Sequence, residues 1–448
     1  MEAINEFCKR LTDNKKGIHS GIYSICSAHK TVLEAAMLQA KSDESLLVIE
    51  STSNQVDQFG GYTNMTPRDF VQYVQDIAKT VEFPFDRIVL GGDHLGPNAW
   101  QGEKASVAMK KAKELVRVYT EAGYQKIHLD ASMYCADDEG DRNKPLADAI
   151  VAKRVTELCK VCETTWQEKG GREKPVYIIG TEVPVPGGAK EKEDCVTPTT
   201  VAGIKHTIEI TKNAFYEAGL IDAWQRVIAI VAQPGVEFGD NQVFYYNHEN
   251  AKELSHALDT EQLVFEAHST DYQTERCLHD LVADHFCILK VGPWLTYSYR
   301  EALFSLADME KELIQEKGNR SNLEVILEEV MLSSAPNYWE KYYHGTEQEK
   351  YFRRKYSFSD RSRYYWTNDR LSQAVNKLLS NLSEKEIPLS LISQYMPNLF
   401  MPVSEGFIRK NPYDLIIAHI RNTIAAYARA CGFTGNEYRI NQDENIAI

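Results

Sequence analysis

The chain has 448 residues, an apolar content of 43% and a formal net charge of −14. Nucleic acids and anionic membranes are bound by clustered lysine and arginine, so this acidic balance disfavours both as partners. No apolar run is long enough to cross a membrane, the N-terminus lacks a signal-peptide core, and the nine cysteines are scattered. We therefore expect a cytoplasmic protein with reduced thiols.

Eight apolar runs alternate with helical patterns along residues 1–318. Continuous apolar runs are typical of parallel strands that are buried on both faces. The predicted strands cover residues 21–26, 46–50, 87–90 with the polar stretch that follows, 126–130, 176–182, 227–233, 263–268 and 286–291. Eight such units favour an α/β fold of the closed (β/α)₈ type, a TIM barrel, over an open doubly wound sheet.

Strand signals stop after residue 318. Helices are predicted at 319–334, 371–382, 388–395 and 413–431, and residues 338–366 are dense in tyrosine, tryptophan, arginine and lysine. In an acidic chain, such a segment is better interpreted as an interface or an active-site lid than as a nucleic-acid stacking surface. We predict a barrel over residues 1–318 and a helical extension over residues 319–448 that packs on it.

Polar residues stand where almost every predicted strand ends. The carboxyl ends of barrel strands meet at one face, where active sites lie. These residues are Ser27, His29, Glu50, Ser51, Asp93, His94, Asp130, Ser132, Glu182, Gln233, Glu237, Glu266, His268, Asp271 and Lys290. Packing requirements alone do not predict so many of them, so we expect a functional polar pocket.

His94, Glu182 and His268 are the candidate metal ligands, because imidazole nitrogen and carboxylate oxygen suit Zn²⁺ or Mn²⁺. Asp93 is the candidate proton-transfer group, and Glu182 and Asp130 are further candidate catalytic carboxylates. A divalent ion that polarises a sugar carbonyl could stabilise an enediolate, as aldol cleavage or epimerisation requires. The alternative is an internal hydrogen-bond network without metal.

Other polar residues are weaker candidates. His128 shares a strand face with Asp130 and is expected deeper in the barrel. The pair Cys159 and Cys162 has no partner pair at zinc-site spacing and is interpreted as structural. The glycines at 187–188 favour a simple turn. The candidate substrate-binding residues are Glu50, Asn98, Gln233, Asp271 and Lys290.

Five segments together resemble one family. They are residues 91–98 (GGDHLGPN), 128–132 (HLDAS), 180–184 (GTEVP), 233–237 (QPGVE) and 266–273 (EAHSTDYQ). They are similar to the non-catalytic subunit family of D-tagatose-1,6-bisphosphate aldolase, and the resemblance covers most of the chain. Members are often called tagatose 6-phosphate kinases, but this sequence has no Walker-type loop, and we expect neither kinase activity nor a nucleotide cofactor.

The resemblance implies a relation to the class II, metal-dependent ketose-bisphosphate aldolases. In those enzymes an Asp-His pair ends strand 3 and a His ends strand 7, which Asp93, His94 and His268 match. Their third ligand, a His after strand 6, is replaced here by Gln233 and Pro234. Their phosphate-binding Gly-Gly-Ser-Gly after strand 7 is replaced by residues 269–272 (STDY).

Two functional hypotheses follow. The first is an accessory subunit that supports the activity and stability of a catalytic aldolase subunit in galactitol or N-acetylgalactosamine breakdown. The second is a divalent-metal-dependent aldolase or epimerase that acts on a ketose or ketose phosphate and uses Asp93 as acid and base. A scaffold with a relict pocket is a weaker third, and homo-oligomerisation is left open.

Overall fold

The computed structural model describes residues 3–142, 144–170, 173–180, 196–335 and 337–433. Eight parallel strands close into a barrel, which confirms the predicted (β/α)₈ fold. Their order around the barrel is β1-β10-β9-β6-β5-β4-β3-β2, and β7 and β8 form a separate antiparallel hairpin. The strands are β1 (Ile22–Ile25), β2 (Leu47–Thr52), β3 (Ile88–Leu95), β4 (Lys126–Leu129), β5 (Val176–Ile179), β6 (Val227–Val231), β7 (Glu237–Phe238), β8 (Val243–Phe244), β9 (Val264–Ala267) and β10 (Phe286–Val291).

Helices cover the barrel and form the C-terminal part of the chain. Helix α3 shows why they begin where they do, since Thr66 and Asp69 form a reciprocal capping box and proline occupies the first turn. The helices are α1 (Ala3–Lys15), α2 (Lys30–Ser42), α3 (Pro67–Thr80), α4 (Ala105–Glu121), α5 (Asp148–Glu168), α6 (Val201–Glu217), α7 (Ile221–Trp224), α8 (His248–Ser255), α9 (Glu275–Ala283), α10 (Pro293–Leu313), α11 (Leu323–Ser333), α12 (Glu347–Tyr356), α13 (Asp369–Ser383), α14 (Leu389–Tyr395), α15 (Phe400–Ser404) and α16 (Pro412–Ala430).

The C-terminal helix α16 packs against α2, α9 and α10. Its Tyr427 hydroxyl donates a 2.6 Å hydrogen bond to the carbonyl of Thr270, in the loop after β9. The Arg421 guanidinium donates to the Gln39 side chain on α2 over 3.1 Å. One apolar core therefore runs from the barrel into the later helices, and the boundary at residue 318 stays a prediction. None of the described helices has the length and apolarity to span a membrane.

Candidate active site

A bulge in β3 brings two consecutive side chains into the same cluster. The pairing of β3 with β4 shifts register between Gly92 and Leu95, and His94 has a φ of 50°. Consecutive strand residues normally point to opposite faces, and a bulge changes this. As a result, Asp93 Oδ1 lies 3.0 Å from His128 Nδ1, while His94 Nδ1 lies 2.8 Å from Asp130 Oδ2.

Two glycines of the same segment allow close packing around this bulge. A Cβ atom on Gly91 would lie 2.6 Å from Cγ of Glu50, and one on Gly96 would lie 1.6 Å from the carbonyl oxygen of Asp130. A side chain on Gly91 would displace the Glu50 side chain, and one on Gly96 would displace the backbone just after β4. The glycines therefore let β2 and β4 bring their own carboxylates next to β3.

Three imidazoles meet inside the barrel. The ring centroids of His94 and His268 are 5.0 Å apart, and His128 lies 5.1 Å from His94 and 5.3 Å from His268. Burial, with a contribution from Lys290, lowers the pKa of His268 to about 3, so that this ring is neutral at pH 7. Burial also acts to lower the pKa of His94, but the carboxylates of Asp93 and Asp130 outweigh it and raise the pKa.

Two buried lysines compensate the carboxylates beneath these rings. Lys126 Nζ lies 2.8 Å from Glu50 Oε1 and 2.6 Å from Glu266 Oε2. Lys290 Nζ forms an ion pair with Asp93 and lies 3.3 Å from Glu50 Oε2. Burial acts to raise the pKa of Asp93, but His94 and Lys290 hold it well below its usual value. Asp93 is therefore an ionised carboxylate that can accept a proton.

The cluster fits a divalent cation. Ligand atoms of Asp93, His128, Glu266 and His268 all lie within 4.8 Å of one another, and all four residues are buried. Within the described parts of the chain, Nε2 of His128 is buried and has no hydrogen-bond partner. Its Nδ1 contacts the main-chain nitrogen of His94 at 3.2 Å and Asp93 Oδ1 at 3.0 Å, so Nε2 is the ring nitrogen that is left for a metal. An unsatisfied buried imidazole nitrogen among carboxylates is the chemistry that Zn²⁺ or Mn²⁺ satisfies.

A cavity opens above the cluster and is closed on one side by the C-terminal part of the chain. From the barrel it is lined by Asp93, His94, His268, Asp271 and Lys290, and from the residues after α12 by Arg363, Tyr364, Trp366 and Thr367. The segment that the sequence marked as a candidate lid thus lies at the mouth of the barrel.

The predicted site residues fall into three groups. Asp93, His94, His268, Asp271 and Lys290 line the cavity. Glu50 lies beneath it and accepts a 2.6 Å hydrogen bond from Ser24, while Asp130 supports His94 from behind. Gln233 and Asn98 contribute no contact to this cluster among the described residues.

Gln233 and Asn98 have different surroundings. The side-chain oxygen of Gln233 accepts hydrogen bonds from the main-chain nitrogens of Gly235 at 2.8 Å and Val236 at 2.9 Å, so it shapes its own turn. Asn98 lies on the short 3₁₀ helix Pro97–Trp100 after β3. Glu182 lies outside the described residues, and its role as ligand and catalyst stays a prediction.

Sequence reasoning omitted Lys126 and set His128 aside as deeper in the barrel. The structure places both in the cluster, in direct contact with Glu50 and Asp93. A signal was present, because Lys126, His128 and Asp130 alternate along β4 and therefore share a face. A lysine within an apolar parallel strand must be paired when it is buried, and that requirement points to carboxylates on the neighbouring strands.

The comparisons with known proteins agree with the barrel. A family model described as D-tagatose-1,6-bisphosphate aldolase subunit GatZ/KbaZ-like matches residues 7–432. The crystal structure of a probable tagatose 6 phosphate kinase from Sinorhizobium meliloti 1021 is 43% identical, with a TM-score of 0.83, and the match covers 92% of this chain and 100% of that chain.

Two more distant structures are also similar. The YdjI aldolase from Escherichia coli K12 is 12% identical with a TM-score of 0.42, over 67% of this chain and 85% of that chain. The fructuronate-tagaturonate epimerase UxaE from Cohnella laeviribosi is 11% identical with a TM-score of 0.44, over 92% of this chain and 81% of that chain. At such low scores neither enzyme informs on the chemistry of this chain.

Proposed function

The chain belongs to the GatZ/KbaZ-like family of D-tagatose-1,6-bisphosphate aldolase subunits, and from this premise we propose that its barrel mouth is a divalent-metal-dependent site for a ketose or ketose phosphate. The reaction class is proton transfer at the sugar, as in aldol cleavage or epimerisation. One observation carries the proposal, namely that ligand atoms of Asp93, His128, Glu266 and His268 lie within 4.8 Å of one another and that all four residues are buried.

The side chains at this site have different roles in the proposed reaction. A bound Zn²⁺ or Mn²⁺ would supply Lewis acidity at a sugar oxygen. Asp93 accepts the proton, since Lys290 and His94 keep its carboxylate ionised. His94, whose Nε2 lies 3.7 Å from Asp93 Oδ2, places a second titratable group beside that proton. Lys290 also holds Asp93 in position, which is needed for transfer to a fixed substrate atom.

Metal content and turnover test this proposal on the full chain. We expect one tightly bound divalent ion per chain, measured by elemental analysis, and its loss in His268→Ala. The matched control is His248→Ala, an exposed histidine paired with Asp284, which should keep the metal. Nuclear magnetic resonance of D-tagatose 1,6-bisphosphate and D-tagatose 6-phosphate then distinguishes cleavage from epimerisation. A metal-free chain that converts neither sugar overturns the proposal.

A second candidate is the accessory role, in which this chain supports a separate catalytic aldolase subunit. It is favoured by the family description, which names an aldolase subunit, and by Gln233 and Pro234 standing where class II aldolases carry a ligand histidine. The pathway would be galactitol or N-acetylgalactosamine breakdown. A kinase reaction is not proposed, because the sequence has no Walker-type loop.

Mixing experiments test the accessory role. Purified chain is added to a catalytic class II aldolase subunit, and the rate of tagatose 1,6-bisphosphate cleavage and its half-life at 37 °C, an ordinary assay temperature, are measured. A rise in either quantity supports this role, and bovine serum albumin serves as the control for non-specific protection. An unchanged rate and half-life contradict it.

A further inference from the structure

The segment formed by residues 357–367, here called the cover segment, is anchored at the barrel mouth. Tyr272, after β9, donates a 2.7 Å hydrogen bond to the carbonyl of Phe358, and their rings lie 4.4 Å apart. Thr296 on α10 donates to the Asp360 carboxylate over 2.5 Å. The loop after β9 and helix α10 therefore hold the cover segment in one position over the cavity.

Arg363 is the one arginine among the cavity-lining residues of the described chain. Its Nη1 donates to the main-chain carbonyls of Ser359 and, over 2.9 Å, Asp360. Its Nη2 donates to the Tyr364 hydroxyl over 2.9 Å. None of these hydrogen-bond partners is a carboxylate. Neutral acceptors thus fix the guanidinium in place without cancelling its charge.

The nearby carboxylates are occupied by other donors. Asp360 accepts from the hydroxyls of Thr296 and Ser362, each over 2.5 Å. Asp271 accepts from the main-chain nitrogens of Gly292 at 3.0 Å and Trp294 at 2.8 Å. At the floor of the cavity, by contrast, Lys290 is paired with Asp93. Asp271 and Asp360 lie close enough to interact with the charge of Arg363, but neither carboxylate occupies its hydrogen-bond donors, which leaves donors for an incoming anion.

The rest of the polar lining is mostly uncharged and suits the hydroxyl groups of a sugar. It includes Ser27, Thr52, Asn54, Gln55, Ser269 and Thr296. The lining thus includes both a cluster of carboxylate and imidazole groups and a fixed guanidinium. A ligand with a reacting polyol part and an anionic group matches both.

We propose that Arg363, supplied by the C-terminal part of the chain, binds the anionic group of the sugar and so sets the specificity of the cavity. The inference rests on the proposed function, since it assumes that a ketose occupies this cavity. A planar guanidinium binds phosphate and carboxylate groups with paired hydrogen bonds. The substrate class is therefore an anionic ketose, and the loops that follow the strands need not supply the main anion contact.

Binding measurements on the full chain test this role without requiring turnover. Isothermal titration compares neutral D-tagatose with D-tagatose 6-phosphate and with D-tagaturonate, which carries a carboxylate instead. We expect one anionic sugar to bind at least about tenfold tighter than D-tagatose, because a charge-assisted hydrogen bond contributes enough binding free energy for such a difference. Which of the two binds tighter identifies the anion. Equal binding of all three sugars overturns the proposal.

Substitutions of Arg363 test whether this residue causes the preference for the anionic sugar. Arg363→Gln should abolish the preference for the anionic sugar over D-tagatose, and Arg363→Lys should keep part of this preference. The matched control is Arg370→Gln, an exposed arginine paired with Glu329, which should bind as wild type does. A preference that survives in Arg363→Gln overturns the proposal.

Folding of each variant is checked by circular dichroism. If Arg363→Gln does not fold, the test rests on Arg363→Lys. The preference of this variant for the anionic sugar over D-tagatose must then be several-fold weaker than that of wild type. The readout of this test is binding and not turnover. If the chain binds the anionic sugar through Arg363 but converts none of it, only the proposed function is refuted. A chain that turns over sugars with the preference intact in Arg363→Gln refutes only the present inference.

Discussion

His94 Nδ1 lies 2.8 Å from Oδ2 of Asp130. The other oxygen of Asp130 accepts hydrogen bonds from the main-chain nitrogen of Ser132 at 3.0 Å and from its hydroxyl at 2.6 Å. The carboxylate is thus held from behind, and it fixes the plane of the imidazole so that Nε2 faces the cluster. Carboxylates in this position orient metal-binding histidines and raise their basicity.

Asp130→Asn should lower the pKa of His94 in the metal-free chain, because the amide keeps the shape but loses the charge that supports the protonated imidazole. Nuclear magnetic resonance titration of the His94 ring measures this pKa. Ser132→Ala is the control, since it removes only one donor to Asp130 and should have a smaller effect. An unchanged pKa of His94 in Asp130→Asn contradicts the electrostatic support of His94 by Asp130.

His128→Gln should remove the bound metal, because it replaces one of the four clustered ligand residues, whose Nε2 is buried and unpartnered within the described chain. The control is His285→Gln, a partly buried histidine whose Nδ1 lies 2.6 Å from the Asn14 side chain. Elemental analysis after gel filtration gives the metal content of each protein. If His128→Gln retains one ion per chain, the ligand set must lie elsewhere.

Lys290→Met should destabilise the metal-free chain by about 3–5 kcal/mol, because it leaves buried carboxylates without compensation. Lys290 forms an ion pair with Asp93 and lies 3.6 Å from Glu266 Oε1. Urea denaturation measures the free energy of unfolding. Lys174→Met, which breaks an exposed pair with Asp222, should change it by less than about 1 kcal/mol. If Lys290→Met and Lys174→Met lose similar free energies of unfolding, the buried ion pair of Lys290 has no special role in stability.

Asp271 should make stability depend on pH between about 4 and 6. Burial raises the pKa of its carboxyl from 3.8 to about 6. The folded state therefore holds a proton that the unfolded state has released, and this contribution to stability is lost as the pH rises from about 4 to 6. Asn cannot titrate but keeps the oxygen that accepts from Gly292 and Trp294.

The measurement is the free energy of unfolding of wild type and Asp271→Asn in urea at pH 4, 5, 6 and 7, values that span the window set by the pKa of about 6. The stability of Asp271→Asn relative to wild type should rise across this window, by up to about 1.4 kcal/mol per pH unit. A difference that is flat, or that falls with rising pH, contradicts the raised pKa.

The strands were largely predictable because each is a short apolar run. The eighth barrel strand was predicted at residues 286–291 and is observed as Phe286–Val291. The hairpin Glu237–Phe238 with Val243–Phe244 was missed, since its strands are two residues long and carry no periodic signal. Helix α1, Ala3–Lys15, was also missed, because its polar and mixed-charge sequence hides a buried face that includes Phe7 and Leu11.

The candidate site was predictable in part. Asp93, His94, His268, Asp271 and Lys290 follow strand ends, and all of them line one cavity. The alternation of side chains along a regular strand predicts opposite faces for Asp93 and His94. Their joint placement depends on the β3 bulge, which arises from packing between strands and has no local sequence rule.

The sequence by itself determined the order of strands and helices and the set of polar groups delivered to one end of the barrel, because both depend on local periodicity and on the geometry of parallel strands. Only the tertiary structure decided which groups meet. Lys126 pairs with Glu50 and Glu266, and Arg363 lines the same cavity as Asp93 although 270 positions separate them (363 minus 93). Such contacts arise from closure of the barrel and docking of distant segments, which local propensities do not encode.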